Sequence, residues 1–173
     1  ADMTKRLILC CTTTGVTMVP GSPKALSKMM SPRRYIDKDF LHKNFEALYG
    51  DALSAEDQFS INMIPPSIKG YLFQLGAMAG WSSLPFIRKI RARTLVLAGD
   101  KDHIVPLINL KFLNKMLPNS RLHIFKDAGH LFMISKRAEM VHELREFYGE
   151  PEVPMPEIEP VQLPSVTASY AHF

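Results

Sequence analysis

Residues Arg93 to His130 read RTLVLAGDKDHIVPLINLKFLNKMLPNSRLHIFKDAGH, and this stretch indicates how the chain folds. A short apolar run from Thr94 to Ala98 ends at a glycine and an acidic turn. A segment with apolar residues at helical spacing follows, and a second apolar run then ends shortly before His130. This alternation of strand, helix and strand predicts a right-handed βαβ unit with two parallel strands.

Acidic residues and a histidine follow the two predicted strands. Asp100 and Asp102 come after the first strand, and His130 comes after the second. The carboxyl ends of neighbouring parallel strands lie at the same edge of an open α/β sheet, where functional sites gather. We therefore expect one of the two acids to lie beside His130, although they are distant in sequence.

This arrangement resembles the carboxyl-terminal part of an α/β-hydrolase, a family whose triad follows the order nucleophile, acid, histidine along the chain. The sequence GDKD followed by Pro106 resembles the family's acid turn, which places Asp102 rather than Asp100 in the catalytic position. Gly129-His130 resembles the histidine turn. The resemblance implies that His130 is the general base and that Asp102 orients its imidazole.

Four segments are also similar to intracellular polyhydroxyalkanoate depolymerases. They lie between Arg6 and Tyr148 and read TTTGVTMVPGSPKAL, MSPRRYI, GYLFQLGAMAGWSSL and TLVLAGDKDHIVPLIN. This second resemblance implies an ester hydrolase whose substrate is a lipophilic polyester, with medium-chain polyhydroxyalkanoate as the expected polymer.

The family's nucleophile lies in the pentapeptide G-x-S-x-G at a strand-to-helix turn. That pentapeptide occurs nowhere in the 173 residues, and the nearest candidates, GWSS at 80–83 and GSP at 21–23, lack its second glycine. The chain begins with Ala1, and Arg6 to Cys11 already reads as an apolar strand. We therefore expect the carboxyl-terminal part of a longer enzyme, whose amino-terminal half supplies the nucleophile, and we expect this chain alone to be inactive.

The predicted fold class is α/β: a partial α/β-hydrolase fold with the last three parallel strands, their helices and a helical lid. Residues 1–15 hold one core strand, which we expect to be buried on both faces and unpaired along one edge. Residues 16–85 form the lid, and residues 86–149 form the carboxyl-terminal part of the core. Residues 150–173 are acidic and proline-rich, which predicts a disordered tail.

Apolar side chains of the predicted lid are candidates for an acyl-binding surface. We select Met29, Phe73 and Trp81, because methionine adapts to irregular shapes and aromatic rings cover apolar ligands. Ordinary packing between lid and sheet is the alternative explanation for each of them.

Apolar spacing and capping residues predict four helices. They cover Asp37 to Tyr49, a segment from Ser54 onward, a largely buried segment from Ser67 to Ala79, and Leu131 to Tyr148.

The composition excludes several classes of protein. A hydrophobic content of 46% with 22% charged residues is typical of a globular domain, and no apolar run has transmembrane length. The net charge of the chain is +4, and the tail at 150–173 is acidic. The residues before the tail, here called the basic body, therefore carry the excess of positive charge and could attract an anionic granule surface. Basic clusters with interleaved aromatic residues are absent, so a nucleic-acid partner is not expected.

Cys10 and Cys11 are adjacent in a predicted strand, where neighbouring side chains point to opposite faces. We therefore expect free thiols and a cytoplasmic protein, with association to polyester storage granules. The remaining histidines lack paired spacing, so neither a metal site nor a cofactor is predicted.

Three functional hypotheses remain open from the sequence. The first is the polyester hydrolase described above. The second keeps the fold but changes the chemistry to that of an epoxide hydrolase, a haloperoxidase-like enzyme or a carbon–carbon bond hydrolase. The third is a non-catalytic fragment that binds a lipid-like ligand or a partner chain. The acyl length, the oligomeric state and the role of the tail are not encoded in any motif.

Overall fold

A computed structural model describes residues 3–31, 33–50 and 66–149, so the helix predicted from Ser54 and the tail at 150–173 lie outside the described residues. The described part combines a three-stranded parallel sheet with eight helices. The elements in chain order are β1 (Arg6–Cys10), α1 (Pro23–Met29), α2 (Arg33–Ile36), α3 (Lys38–Tyr49), α4 (Ile68–Met78), α5 (Leu84–Ile87), β2 (Arg93–Gly99), α6 (Leu107–Met116), β3 (Ser120–Phe125), α7 (Phe132–Ser135) and α8 (Arg137–Tyr148).

The sheet has the strand order β1-β2-β3, with every pair parallel. Arg6 lies opposite Arg93, and Thr94 lies opposite Ser120. The central strand β2 is buried from Thr94 to Gly99, as a continuous apolar run predicts for a strand covered on both faces. The predicted α/β class and the βαβ unit are therefore confirmed.

Alternate residues of strand β2 face opposite sides of the sheet. Val96 and Ala98 pack with Leu110 and Leu113 of α6 on one face. On the other face the alternating residues pack with aromatic side chains from β3, α7 and α8. That second cluster consists of Leu95, Leu97, Phe125, Ala128, Phe132 and Phe147. Packing of both clusters fixes the register of β2 in the sheet. This register sets the position of the turn that follows β2.

Strand β1 differs from its prediction. Its first residue, Arg6, is exposed and the others are only partly buried, so the expectation of a strand buried on both faces is wrong for this structure. The physical reason is its position, because among the described residues β1 pairs only with β2 and forms the edge of the sheet. The unpaired edge that the sequence predicted is present.

The chain leaves the sheet after Gly15 and rejoins it at Ser82, beside the end of β1. An antiparallel bridge joins Gly15 to Ser82. The backbone N–H of Val16 donates to Trp81 O at 3.0 Å, and that of Ser83 donates to Thr14 O at 2.9 Å. The helices between these ends therefore form an insertion above the carboxyl ends of the strands.

Two predicted helices need correction. Helix α4 covers the predicted segment, but its residues from 72 onward are exposed, including Leu72 and Met78. Apolar composition favours burial without specifying which neighbour supplies it. The single helix predicted over Leu131 to Tyr148 is split at Lys136, whose φ of −122° and ψ of 32° are not helical. The break changes the helical phase, so Phe147 rather than Tyr148 is buried.

No helix in the three described ranges is long and apolar enough to cross a membrane.

Candidate active site

The turn after β2 buries and fixes one carboxylate. The Asp102 side chain is only 1% exposed. Its Oδ1 accepts hydrogen bonds from the backbone N–H groups of Ile104 and Val105, each at 2.8 Å. Buried charges need such donors, and two of them hold the carboxylate in a single orientation. Oδ2 is thereby directed toward the turn that follows β3.

His130 occupies that second turn and contacts the fixed carboxylate. Its Nδ1 lies 2.8 Å from Asp102 Oδ2, and its side chain is 26% exposed. An ionised carboxylate only accepts hydrogen bonds, so a neutral His130 carries its proton on Nδ1 and keeps a lone pair on Nε2. The pair therefore has the geometry of a general base with its orienting acid.

Asp100, the competing acid, lies outside this pair. It is exposed, and its Oδ1 accepts a hydrogen bond from the backbone N–H of Ala128 at 3.2 Å. Lys101 donates its N–H to Ala128 O at 2.9 Å, and its amino group forms a 2.7 Å ion pair with Asp127. The hydrogen bond from the Lys101 amino group and its positive charge lower the pKa of Asp127. Asp100 thus joins the acid turn to the histidine turn rather than contacting the imidazole.

Two glycines allow these turns to approach each other and the inserted helix α3. A Cβ on Gly99 would meet the carbonyl oxygens of Ala128 and Gly129. Gly50, which ends α3 with a φ of 74°, has no room for a Cβ beside the carbonyl of Lys101. The neighbouring Tyr49 accepts a hydrogen bond from the backbone N–H of His130 at 2.6 Å. The insertion therefore contacts the histidine turn directly through α3.

Cys11 is a site residue that the sequence argument missed. It follows β1, and its Sγ lies 3.4 Å from the carbonyl oxygen of His130. Burial and the nearby Asp102 raise the pKa of the Cys11 thiol far above its usual range. Its φ of 42° departs from strand geometry, so the predicted alternation of faces does not extend from Cys10 to Cys11. Both thiols are free. Cys11 lies at the carboxyl end of a predicted strand, as Asp102 and His130 do, and this position indicates that it lies at the same edge of the sheet.

The three predicted substrate-binding residues lie in different surroundings. Met29 is partly buried against the cluster formed by Phe45, Leu48 and Tyr49 in the insertion. Phe73 on α4 is 76% exposed, and Trp81, where the insertion rejoins the sheet, is 51% exposed. Met29 therefore matches the packing alternative, whereas Phe73 and Trp81 present apolar surface to solvent. Their role in binding acyl groups stays a prediction.

Sequence comparison finds relatives among hydrolases. The chain is 41% identical over 141 residues to a poly(3-hydroxyalkanoate) depolymerase of Ectopseudomonas oleovorans, which covers 79% of the chain and 49% of that protein. It is 34% identical over 61 residues to a 2-hydroxy-6-oxo-2,4-heptadienoate hydrolase of Pseudomonas putida, covering 35% of the chain and 22% of that enzyme. The chain thus spans about half the length of the depolymerase that it matches, and less of the second relative.

Solved structures of low sequence identity share the fold. An esterase from Exiguobacterium antarcticum matches 84% of the chain with a TM-score of 0.66 at 16% identity, over 57% of that structure. The 2-hydroxy-6-oxo-6-phenylhexa-2,4-dienoate hydrolase of a Rhodococcus species matches 84% of the chain with a TM-score of 0.63 at 17% identity, over 55% of its own chain. The profile of the alpha/beta hydrolase fold family matches residues 37–137. The chain belongs to the α/β-hydrolase fold family.

Proposed function

We propose that the chain carries the acid and the base of a serine ester hydrolase that depolymerises intracellular polyhydroxyalkanoate. The observation that supports this proposal is the 2.8 Å contact between His130 Nδ1 and Oδ2 of the buried Asp102. The 41% identity to a poly(3-hydroxyalkanoate) depolymerase favours a polyester as substrate. The nucleophilic serine and the oxyanion hole would come from a segment outside these 173 residues.

The proposed reaction proceeds in two stages. The serine hydroxyl attacks the ester carbonyl while His130 Nε2 takes its proton, and the imidazolium then gives that proton to the leaving alcohol. Water attacks the resulting acyl-enzyme by the same route, with His130 again as base, and releases the acid. Asp102 holds the imidazole in the required tautomer and stabilises its positive charge.

Phe73 and Trp81 would supply the acyl-binding surface in this proposal. Both side chains expose apolar surface on or beside the lid, where a polymer chain could lie. The basic body of the chain would favour a granule with an anionic surface in the cytoplasm. Met29 would act less directly, because it packs within the lid core.

A matched pair of aspartate substitutions tests the proposed triad. In the enzyme isolated from its source, we expect Asp102→Asn to lower kcat for polyester hydrolysis by about 10³–10⁴-fold, because the imidazole loses its orienting carboxylate. Asp100→Asn is the control, since its amide oxygen can still accept the N–H of Ala128. Equal losses in both variants, or full activity in Asp102→Asn, would contradict the proposal.

A carbon–carbon bond hydrolase is the second candidate. It is favoured by the 34% identity over 61 residues to a 2-hydroxy-6-oxo-2,4-heptadienoate hydrolase. Assays of the source enzyme with a 2-hydroxy-6-oxo-dienoate and with emulsified polyester distinguish the two. Preferential cleavage of the dienoate would move this candidate to first place.

A further inference from the structure

Three strand ends bring together three different metal-ligating side chains. Cys11 follows β1, Asp102 follows β2 and His130 follows β3. The Cys11 sulfur, a carboxylate oxygen of Asp102 and a ring nitrogen of His130 all lie within 4.8 Å of one another. The proposed hydrolase mechanism uses the acid and the histidine but assigns no role to the thiol.

We infer that Cys11, Asp102 and His130 form a binding site for a thiophilic divalent cation such as Zn²⁺, and that the bound cation inhibits the hydrolase. The binding site stands on the geometry of these three side chains alone. Its inhibitory consequence rests on the proposed function, because it concerns the proton on the catalytic imidazole.

The ligand set matches the preferences of zinc-like ions. Zn²⁺ binds cysteine sulfur, histidine nitrogen and carboxylate oxygen, and three protein ligands leave one position open. A thiolate with a carboxylate and a neutral imidazole carries a charge of −2, which balances a divalent cation. A thiolate ligand also selects against Mg²⁺ and Ca²⁺, which prefer oxygen ligands.

The surroundings direct the Asp102 carboxylate toward the His130 ring. Both backbone donors to Asp102 contact Oδ1, at 2.8 Å each, which directs Oδ2 toward His130. The imidazole is 26% exposed, so a cation can reach the site from solvent. Asp102 itself is anchored by these donors, so it resists moving away when a cation enters.

Cation binding changes where the imidazole carries its proton. The thiol of Cys11 releases its proton to solvent, and sulfur forms a bond to the cation. The His130 Nδ1 loses its proton and coordinates the cation through its lone pair. The single proton of the neutral imidazole is then carried by Nε2, which it reaches through solvent. An Nε2 that already carries a proton cannot accept one from a nucleophile, and the base is switched off.

Cadmium titration of the 173-residue chain tests the site, because a cadmium–thiolate bond gives an ultraviolet charge-transfer band. We expect a saturable band at one Cd²⁺ per chain. Cys11→Ser and Cys11→Ala should abolish the band and weaken Cd²⁺ binding at least tenfold, with circular dichroism reporting the fold of each variant. Cys10→Ala is the matched control and should keep the cadmium–thiolate band. A band that survives in the Cys11 variants, or its absence in the unmodified chain, overturns the site.

A nuclear magnetic resonance measurement needs no variant at Cys11. Long-range ¹H–¹⁵N spectra should show His130 changing from the Nδ1–H to the Nε2–H tautomer when Zn²⁺ is added, with His130→Gln identifying its signals. Retention of the Nδ1–H tautomer at saturating Zn²⁺ overturns the inference. The source enzyme could fail to cleave polyester although the chain shows both the cadmium band and the tautomer change. That combination would support the metal site and refute only the proposed function.

Discussion

Gly50 lies where helix α3 meets the acid turn and the histidine turn. It ends α3 in the left-handed conformation, and its Cα faces the carbonyl of Lys101 in the acid turn and Gly129 in the histidine turn. Only a residue without a Cβ allows this approach, so a backbone position at the end of α3 determines how closely the helix packs against the site. Gly149 ends α8 in the same conformation but faces open space.

These two glycines permit a controlled substitution experiment. Gly149→Ala should lower the free energy of unfolding by about 1–2 kcal/mol, the cost of a left-handed residue with a side chain. Gly50→Ala should cost about 1–3 kcal/mol more, because its methyl group also displaces the acid turn. Guanidinium unfolding of the two variants measures the difference. Equal losses would show that Gly50 makes no close contact with Lys101.

Helix α3 depends on a charged residue at its start. Oδ1 of Asp37 accepts the backbone N–H of Phe40 at 2.9 Å, and Oδ2 accepts a 2.7 Å hydrogen bond from Arg33. The hydrogen bonds from Arg33 and Phe40 lower the pKa of Asp37. Because the folded pKa lies below the unfolded pKa, the ionised carboxylate stabilises the fold above the unfolded value.

Acid titration should reveal this contribution of Asp37. We expect the stabilisation to be complete at neutral pH and to be lost as the pH falls through the unfolded and then the folded pKa of Asp37. Asp37→Ala should lower the unfolding midpoint at pH 7 and reduce its fall between pH 7 and acid conditions. Asp39→Ala is the control, because it removes a carboxylate from the first turn of the same helix without removing the acceptor of the Phe40 N–H. An unchanged pH profile in Asp37→Ala would refute the capping role.

An ion-pair network joins the edge strand β3 to helix α8. The Arg121 guanidinium lies 3.2 Å from Glu143 Oε2, without hydrogen-bond alignment, and 3.1 Å from Oε1 of Glu146. The His123 ring contacts Glu139 at 2.9 Å and Glu143 at 3.2 Å. Glu143 is the shared member, and its side chain is only 11% exposed. The network therefore packs α8 against the strand that leads to the histidine turn.

Glu143 and Glu146 should differ in their contribution to stability. Glu143→Gln should lower the free energy of unfolding by about 1–2 kcal/mol, less than breaking a fully buried pair because Arg121 and His123 are partly exposed. Glu146→Gln, at a side chain 58% exposed, should cost less than about 1 kcal/mol. Urea unfolding of both variants tests the ranking. A larger loss in Glu146→Gln would contradict the assignment of Glu143 as the shared member.

The whole chain contains the proposed acid and base but not the nucleophile motif of its family. Since acyl transfer requires nucleophile, base and oxyanion donors in contact, we expect no hydrolysis of a short-chain nitrophenyl ester above background by the 173-residue chain. A spectrophotometric assay at high protein concentration measures this directly.

One substitution distinguishes true activity from contamination in that assay. Hydrolysis that disappears in His130→Ala would show that the chain supplies its own nucleophile. Hydrolysis that persists in His130→Ala would come from another protein or from surface groups, and would leave the expectation intact.

Periodicity and turn chemistry predicted the central elements well. The apolar run before Gly99 gave the buried strand β2, and the acid and histidine motifs gave two turns at one sheet edge. Prediction failed where neighbours decide the outcome, as in the exposed residues of α4 and the partial burial of β1. Local sequence carries the preference for burial, but only the packed neighbours determine which surface is covered.

The sequence by itself determined that Asp102 and His130 end neighbouring parallel strands, because strand order and chain direction follow from local pattern and handedness. The family resemblance of the acid turn favoured Asp102 over Asp100, but the strand pattern left both acids open. The tertiary structure shows that Asp102 contacts the imidazole, because two backbone N–H groups of the turn hold its carboxylate there. The position of Cys11 after β1 indicates this sheet edge from sequence, but the tertiary structure shows that its sulfur lies within 4.8 Å of ligand atoms of Asp102 and His130, in a turn where its φ is 42°. Contacts between strand ends are set by sheet pairing across long sequence separations, and side-chain patterns record only what is local.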